Sequence, residues 1–374
     1  MERYASTLVG SSAGPHPLAS LSKMLGYGTS HPDSSPEPPS SFTLDEDDDD
    51  DSDTMSLRSS STRSVTTCAT TVDWEMRSAS RPPSVFSMTS SMRALAYRHE
   101  YGRGINNYSD VYRLPADEEE LARLDKQHEL FAQVMGKYPP PMDEVLANAP
   151  GETKTCVDLG CGSGSWIVDV AQDYPHISAV AVDLVPLQVV CDRDMPLNCR
   201  SEVDDINLGL QHFQGDFNVV HVRLISSGIR DYKRLIDDIA LTVRPAGLID
   251  LTEFDFRVYG PDKKPLTEDA SSLAKWMHLA SQAVKQQGGE PEAANYLQRW
   301  VSGHGAFEEV VYRRWWFQTS PWNPGQDLSR PLLLGSGLPE HVVNHHEDAA
   351  SRELLEGIVP GYILVENVYA RKKP

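Results

Sequence analysis

The chain has 374 residues, 40% of them hydrophobic, and a formal net charge of -20. Such a charge repels a phosphate backbone, and Lys263-Lys264 and Arg371-Lys372-Lys373 are too short to form an opposing basic patch, which argues against electrostatic nucleic-acid binding. No stretch approaches the ~18 apolar residues of a membrane span, and no apolar segment follows Met1-Glu2-Arg3-Tyr4, so a soluble intracellular protein, cytoplasmic or nuclear, is expected.

Residues 1–92 differ in kind from the rest. They are rich in Ser and Pro and carry the block from Asp45 to Asp53, nearly all acidic, so they cannot bury enough apolar surface to offset their ordering entropy. A disordered tail is predicted. Ser59, Ser60 and Ser61, beside Arg58 and Arg63, allow the sharper reading of an arm tuned by phosphorylation. The five cysteines form no Cys-x-x-Cys pair, and reduced thiols are expected; Cys191, Cys199 and His212 match no familiar zinc spacing, so no metal is expected.

Residues 93–374 are expected to form one domain, with 153–255 as its cofactor-binding core and 256–374 as C-terminal helices and a hairpin on the substrate side. The aromatic, punctuated stretch from Tyr101 to Pro115 suits a segment laid over a folded surface. A helix follows, with Asp117 as N-cap and Glu120 three residues on; Leu121, Leu124, Phe131, Val134 and Met135 recur at helical spacing until Pro139-Pro140-Pro141. His128 lies near that apolar face and reads as a packed or capping histidine rather than a catalyst.

Thr155 to Leu159 then reads as a strand running into Gly160-Cys161-Gly162-Ser163-Gly164. The three glycines allow positive φ and close backbone approach to a nucleotide-type cofactor. Ser165 stands where the dinucleotide fingerprint requires its third glycine, which favours S-adenosylmethionine over NAD and disfavours a nicotinamide-linked oxidoreductase. A helix through Trp166, Ile167, Val170 and Ala171 leads to a buried strand from Ile177 to Val182. Asp183 ends that strand, in reach of ribose hydroxyls in a doubly wound sheet. Pro186 and Pro196 shorten the next helix. Cys199 to Asn207 reads as a short strand ending in paired carboxylates, where Asp205 with Ile206 suits an adenine contact better than Asp204.

Val219 to Val222 makes the fourth strand, and two readings of His221 and Arg223 stand side by side: packing, or a place in the cleft. Asp231 to Val243 reads as a helix, Arg244-Pro245-Ala246-Gly247 as a turn, and Leu248 to Phe254 as a strand carrying Asp250 and Glu253. Helices are predicted over 268–287 and 293–302, and strands over Phe307 to Phe317 and Gly361 to Arg371, the last two closing the sheet as an antiparallel hairpin. Trp276, Trp315, Trp316 and Trp322 read mostly as core, with one or two available to line an apolar pocket.

Taken together, Val157-Asp158-Leu159-Gly160-Cys161-Gly162-Ser163-Gly164, Asp183, Asp205-Ile206, Phe217 to Arg223 and Arg244-Pro245-Ala246-Gly247 resemble the ordered motifs of class I S-adenosylmethionine-dependent methyltransferases. More narrowly, Tyr112 to Glu118, Arg123 to His128, and Gly305-Ala306-Phe307 ahead of Ser320-Pro321-Trp322 are similar to the fungal methyltransferases related to the LaeA regulator of secondary metabolism. The resemblance implies an α/β fold, a Rossmann-like seven-stranded sheet with helices on both faces. It assigns Gly160, Gly162 and Gly164 to the methionine and ribose, Asp158 to the surroundings of the methionine amine, Asp183 with Leu184 to the ribose, and Asp205 with Ile206 to the adenine. It also suggests a velvet-type regulatory partner. Two departures stand out: Asn218 replaces a frequent Asp, and the 320–360 region is shorter than in many relatives. Methyl transfer needs a base only where the acceptor keeps its proton. His221, Arg223 and Glu253 are the candidate catalytic residues. The acceptor, a small molecule or a protein, is not readable from the chain, and a non-catalytic regulatory protein on the same fold is the alternative.

Overall fold

The computed structural model describes residues 95–187, 195–319, 330–357 and 359–374. The Ser/Pro/Asp-rich tail with its serine cluster, the brief helix expected before Pro196, Cys191, and the loop holding Trp322 lie outside the described residues.

In chain order, β1 (Tyr97–Glu100) and β2 (Arg103–Asn106) pair antiparallel, a hairpin where the sequence suggested only a surface segment. Asp117 then caps α1 (Glu118–Met135), its carboxylate accepting from the Glu120 amide at 3.1 Å while Arg103 binds it at 2.7 and 2.8 Å. One side chain thus starts the helix and ties the hairpin to it. After α2 (Met142–Val145) come β3 (Thr155–Leu159), α3 (Ser165–Asp173), β4 (Ser178–Asp183), β5 (Cys199–Val203) and β6 (Phe217–Arg223). β5 stops at Val203, short of the carboxylates expected to end it; Asp205 instead caps a turn of 3-10 helix over Ile206–Leu208. Next are α4 (Tyr232–Thr242), β7 (Val243–Tyr259), α5 (Ser272–Gln286), α6 (Leu297–Gly303), β8 (Phe307–Gln318), α7 (Arg330–Gly335), α8 (Glu340–Glu356) and β9 (Tyr362–Lys372).

The seven-stranded sheet has the order β5-β4-β3-β6-β7-β9-β8, parallel except for β9, which pairs antiparallel with both β7 and β8. The turn expected at Arg244 to Gly247 is absorbed into β7: the register jumps from Phe217 opposite Val243 to Val219 opposite Leu248, with Ala246 at φ 60°. Asn218, the departure noted in the sequence, accepts from the Thr155 amide at 2.9 Å and from Arg244 at 3.1 Å, at the strand ends opposite the glycine turn. It clamps the amino ends of β3 and β6.

Alternation along the strands decides which helix covers which face. Val157, Val220 and Ile249 pack with Tyr232, Ile236 and Ile239 of α4, whereas Cys156, Val219 and Leu248 pack with Ile167 and Val170 of α3 and with Met142. The α7 and α8 helices, not foreseen from sequence, join β8 to β9 and pack Leu332, Leu333, Val343 and Ala350 against Trp276, Ala280 and Val284 of α5. Glu353 fastens this pair by accepting from Ser271 and from the Ser272 amide at the start of α5. Among the described residues no helix is long and apolar enough to cross a membrane. Because Ile239 is fully buried, Ile239→Ala should lower the unfolding free energy by about 2 to 5 kcal/mol. Chemical denaturation checks this, and an unchanged midpoint would contradict the packing.

Candidate functional site

The carboxyl ends of β3, β4 and β6 and the segment after β5 open on one cavity of about 270 Å³. Its floor is the glycine turn. The Gly160 and Cys161 amides both donate to Val182 O, at 2.8 and 3.0 Å, folding the turn back over β4. Gly160 has φ +75°, and an added Cβ would meet Ile225 at 2.4 Å; Gly162 has φ +57°, and its Cβ would meet Leu124 at 2.8 Å. The positive φ favours glycine at both positions, and a side chain there would also displace Ile225 and Leu124.

Asp183 accepts from the Gly162 amide at 2.8 Å and from the Val185 amide at 3.3 Å. Burial pushes its carboxyl up to about 6, and the backbone donors limit the rise. Asp205 accepts from the amide and the side chain of Asn207 at 3.0 and 2.9 Å, and Asn207 donates to Gly228 O at 2.8 Å, which pins this segment to the loop after β6. Leu184 and Ile206 add apolar wall between the two carboxylates.

Asp158, His221 and Asp250 stand opposite one another on β3, β6 and β7. His221 Nδ1 lies 2.8 Å from Asp158, its Nε2 lies 3.9 Å from Asp250, and its ring stacks on Trp166 at 3.6 Å. Asn367 donates to the far side of Asp250 at 2.6 Å. The imidazole is therefore held on three sides and only 3% exposed, although it contributes to the cavity wall. Arg223 also lines the cavity. Its Nη2 lies 3.3 Å from His128 Nδ1, and His128 Nε2 lies 3.0 Å from Asp169.

Of the residues singled out from sequence, Asp158, Gly160, Gly162, Asp183, Leu184, Asp205, Ile206, His221 and Arg223 line this one cavity. Two do not. Gly164 sits behind the turn as the N-cap of α3, against Leu187. Glu253, expected at the cleft, is fully buried and accepts from the amides of Ile225 and Ser226 and from the Tyr232 hydroxyl, so it braces the loop after β6. Among the described residues no tryptophan lines the main cavity: its aromatic wall is Tyr112, Phe254 and Phe256, while Trp166 and Trp315 border a smaller polar cavity beside Arg223.

Sequence reasoning gave no role to Tyr112 or to the face of α1 that covers the cavity. That face carries Glu120, Arg123 and Gln127, all buried, with Glu120 and Arg123 paired at 2.8 Å. Burial pushes the Tyr112 phenol up, and the Glu120 carboxylate adds to the shift. The signal was present: these polar residues share the i, i+3, i+7 face of the helix with Leu124 and Phe131, an odd place for a charge unless it is paired or functional. Among the described residues there is no group of three or more His, Cys, Asp or Glu side chains placed to hold a metal ion.

The methyltransferase-domain family matches residues 127–307 of the chain. A relative from Coprinopsis cinerea, named secondary metabolism regulator laeA, is 43% identical over 302 residues, 74% of each chain. Methyltransferase pytC of Aspergillus terreus is 28% identical over 254 residues, covering 67% of this chain and 74% of its own. Among solved structures, phosphoethanolamine N-methyltransferase 2 from Haemonchus contortus, in complex with S-adenosyl-L-methionine, aligns over 67% of this chain and 57% of that one at 14% identity and a TM-score of 0.37.

The brace at Glu253 carries its own pH signature. Burial pushes this carboxyl up from 4.5 to about 7, against the pull of its hydrogen-bond donors, and its Oε2 has no partner among the described residues. The folded state therefore keeps a proton that the unfolded chain gives up at lower pH, so the contribution is full below about 4.5 and is lost as pH rises through about 7. Glu253→Gln, which retains an acceptor, should flatten that slope in urea denaturation series across this window. A slope equal to that of the wild type would contradict the assignment.

Proposed function

Because this chain belongs to the methyltransferase family that includes the LaeA regulators of secondary metabolism, we propose that its cavity binds S-adenosylmethionine through the residues at the ends of β3, β4 and β5. It is an S-adenosylmethionine-dependent methyltransferase. The observation that carries the site reading is that three separated stretches, the Gly160 to Gly162 turn, Asp183, and Asp205 with Ile206, meet in a single cavity.

The residues fit this cofactor. The glycine turn offers backbone where side chains would block approach, Asp183 offers a carboxylate to ribose hydroxyls, and Asp205 with Ile206 offers an acceptor and an apolar face to the adenine. Asp158, already bonded to His221, sits beside the turn where the methionine amine belongs. When bound, S-adenosylmethionine supplies a methyl group activated by its sulfonium, which leaves the protein to align the acceptor and keep water out. The α1 face with Leu121 and Leu124 covers the turn and serves the exclusion of water. Kinship with the LaeA proteins extends the proposal to control of secondary metabolism in a fungus, with a velvet-type partner and residence in the cytoplasm or nucleus.

Titration calorimetry with S-adenosylhomocysteine tests the site. Asp183→Ala should weaken binding by about 1.5 to 3 kcal/mol, as for a hydrogen bond to a charged group. Since ribose hydroxyls donate to the ionised carboxylate, wild-type affinity should be full above about pH 6 and fall below it. Wild-type affinity in Asp183→Ala would refute the assignment. Label from methyl-labelled cofactor entering no molecule of a cell extract, the protein itself included, would favour the regulatory alternative.

A further inference from the structure

Arg223 makes no direct ion pair with a carboxylate of a described residue; Asp158, Asp250 and Asp169 act on it only at longer range. It ends β6 and lines both the main cavity and the smaller polar cavity beside it. Its side-chain hydrogen bond goes to His128, and its Nε and Nη1 have no partner among the described residues. The guanidinium lies 5.4 Å from the ring of Phe131. His128 holds it in place: with its Nε2 proton donated to Asp169, the imidazole is neutral and its Nδ1 accepts from Arg223. Burial is the main cause lowering the pKa of His128. Burial is the largest influence on this part-buried guanidinium and lowers its pKa against the pull of the three carboxylates, so a direct anionic partner would favour its charged form.

That anion has two sources, the α-carboxylate of the cofactor or the acceptor, and the sheet order favours the acceptor. The residues assigned to the cofactor come from β3, β4 and the segment after β5, whereas Arg223 stands on β6, on the side facing β7. There the cavity wall becomes apolar: Phe254 and Phe256 of β7, Leu273 and Met277 of α5, Leu332 of α7 and Ile363 of β9.

Among the described residues the same wall offers no free base. Asp158 and His221 are bonded to each other, Glu120 is paired with Arg123, and Glu253 is sealed outside the cavity. Tyr112 and Cys161 are pushed up by burial and stay protonated. An alcohol acceptor requires removal of a proton at transfer, and an amine must be neutral before it and shed a proton after it. A carboxylate requires neither.

Resting on the reading of this cavity as a methyl-transfer site, we propose that Arg223 binds the acceptor and that the acceptor is an apolar carboxylic acid, its hydrocarbon body in the Phe254, Phe256 and Met277 chamber. One carboxylate oxygen accepts from Arg223. The other forms a bond to the methyl carbon as the carbon–sulfur bond breaks and its electron pair stays on sulfur, giving a methyl ester and S-adenosylhomocysteine with no proton transferred.

Calorimetry on the full-length protein saturated with S-adenosylhomocysteine tests this with hexanoate, decanoate and cinnamate against the matching alcohols and amines. The acids should bind in preference, and Arg223→Gln should weaken them about tenfold or more, with S-adenosylhomocysteine affinity and melting temperature unchanged. With S-adenosylmethionine, mass spectrometry should find methyl esters. Preference for an alcohol or amine overturns the acceptor class. Loss of S-adenosylhomocysteine binding in Arg223→Gln, with its melting temperature kept, gives the guanidinium to the cofactor instead and overturns its role here. An enzyme that binds S-adenosylhomocysteine but neither binds nor methylates any of the acids loses this proposal and keeps the methyltransferase reading, whereas failure of the wild type to bind S-adenosylhomocysteine removes both.

Discussion

The bond from the Gly162 amide to Asp183 is the constraint around which the site is arranged. It joins the turn after β3 to the end of β4, two strands already locked in parallel register from Thr155 opposite Ser178 to Leu159 opposite Val182. The turn can follow this path only because Gly160 and Gly162 accept positive φ under Ile225 and Leu124. Once it is fixed, the end of β4, the capped segment at Asp205 and the loop after β6 face a common space. A carboxylate placed there is easily protonated, because the walls that shape the space also withdraw it from water.

Buried charge is concentrated where the sheet meets this space. Asp158, His221 and Asp250 share one row across three strands, with Asn367 and Trp166 closing it. Each polar atom held in this way limits where the others can move, and such networks are stable only when nearly every member is bonded. Arg223, next along β6 on the same face as His221, is hydrogen-bonded among the described residues through Nη2 to His128.

Much of this was legible in the sequence. The apolar runs of the central strands, the punctuated glycine turn and the acidic residue after the second strand all report local rules, periodicity, backbone freedom and strand termination, that tertiary context seldom overrides. The fates of Glu253 and Gly164 were not legible, because strand position alone does not say whether a carboxylate points along the cleft or under the neighbouring loop. The turn at Arg244 to Gly247 looked correct in composition, but Phe217 pairing with Val243 keeps the chain in the sheet on both sides of it. The α7 helix is too short, six residues, to show a helical period, and the apolar positions of α8 are sparse; both pack against α5, and Glu353 clamps α8 to its start.

The position of those two helices separates two tasks. They interrupt the chain between β8 and β9, yet the two strands pair from Phe307 opposite Lys372 to Gln318 opposite Tyr362. The sheet and its glycine turn therefore do not depend on the composition of the covering helices, which meet the cavity through Leu332. A change at Leu332 alters the shape of the cavity without touching the pairing of the strands beneath it. The cavity wall and the sheet under it thus answer to different residues.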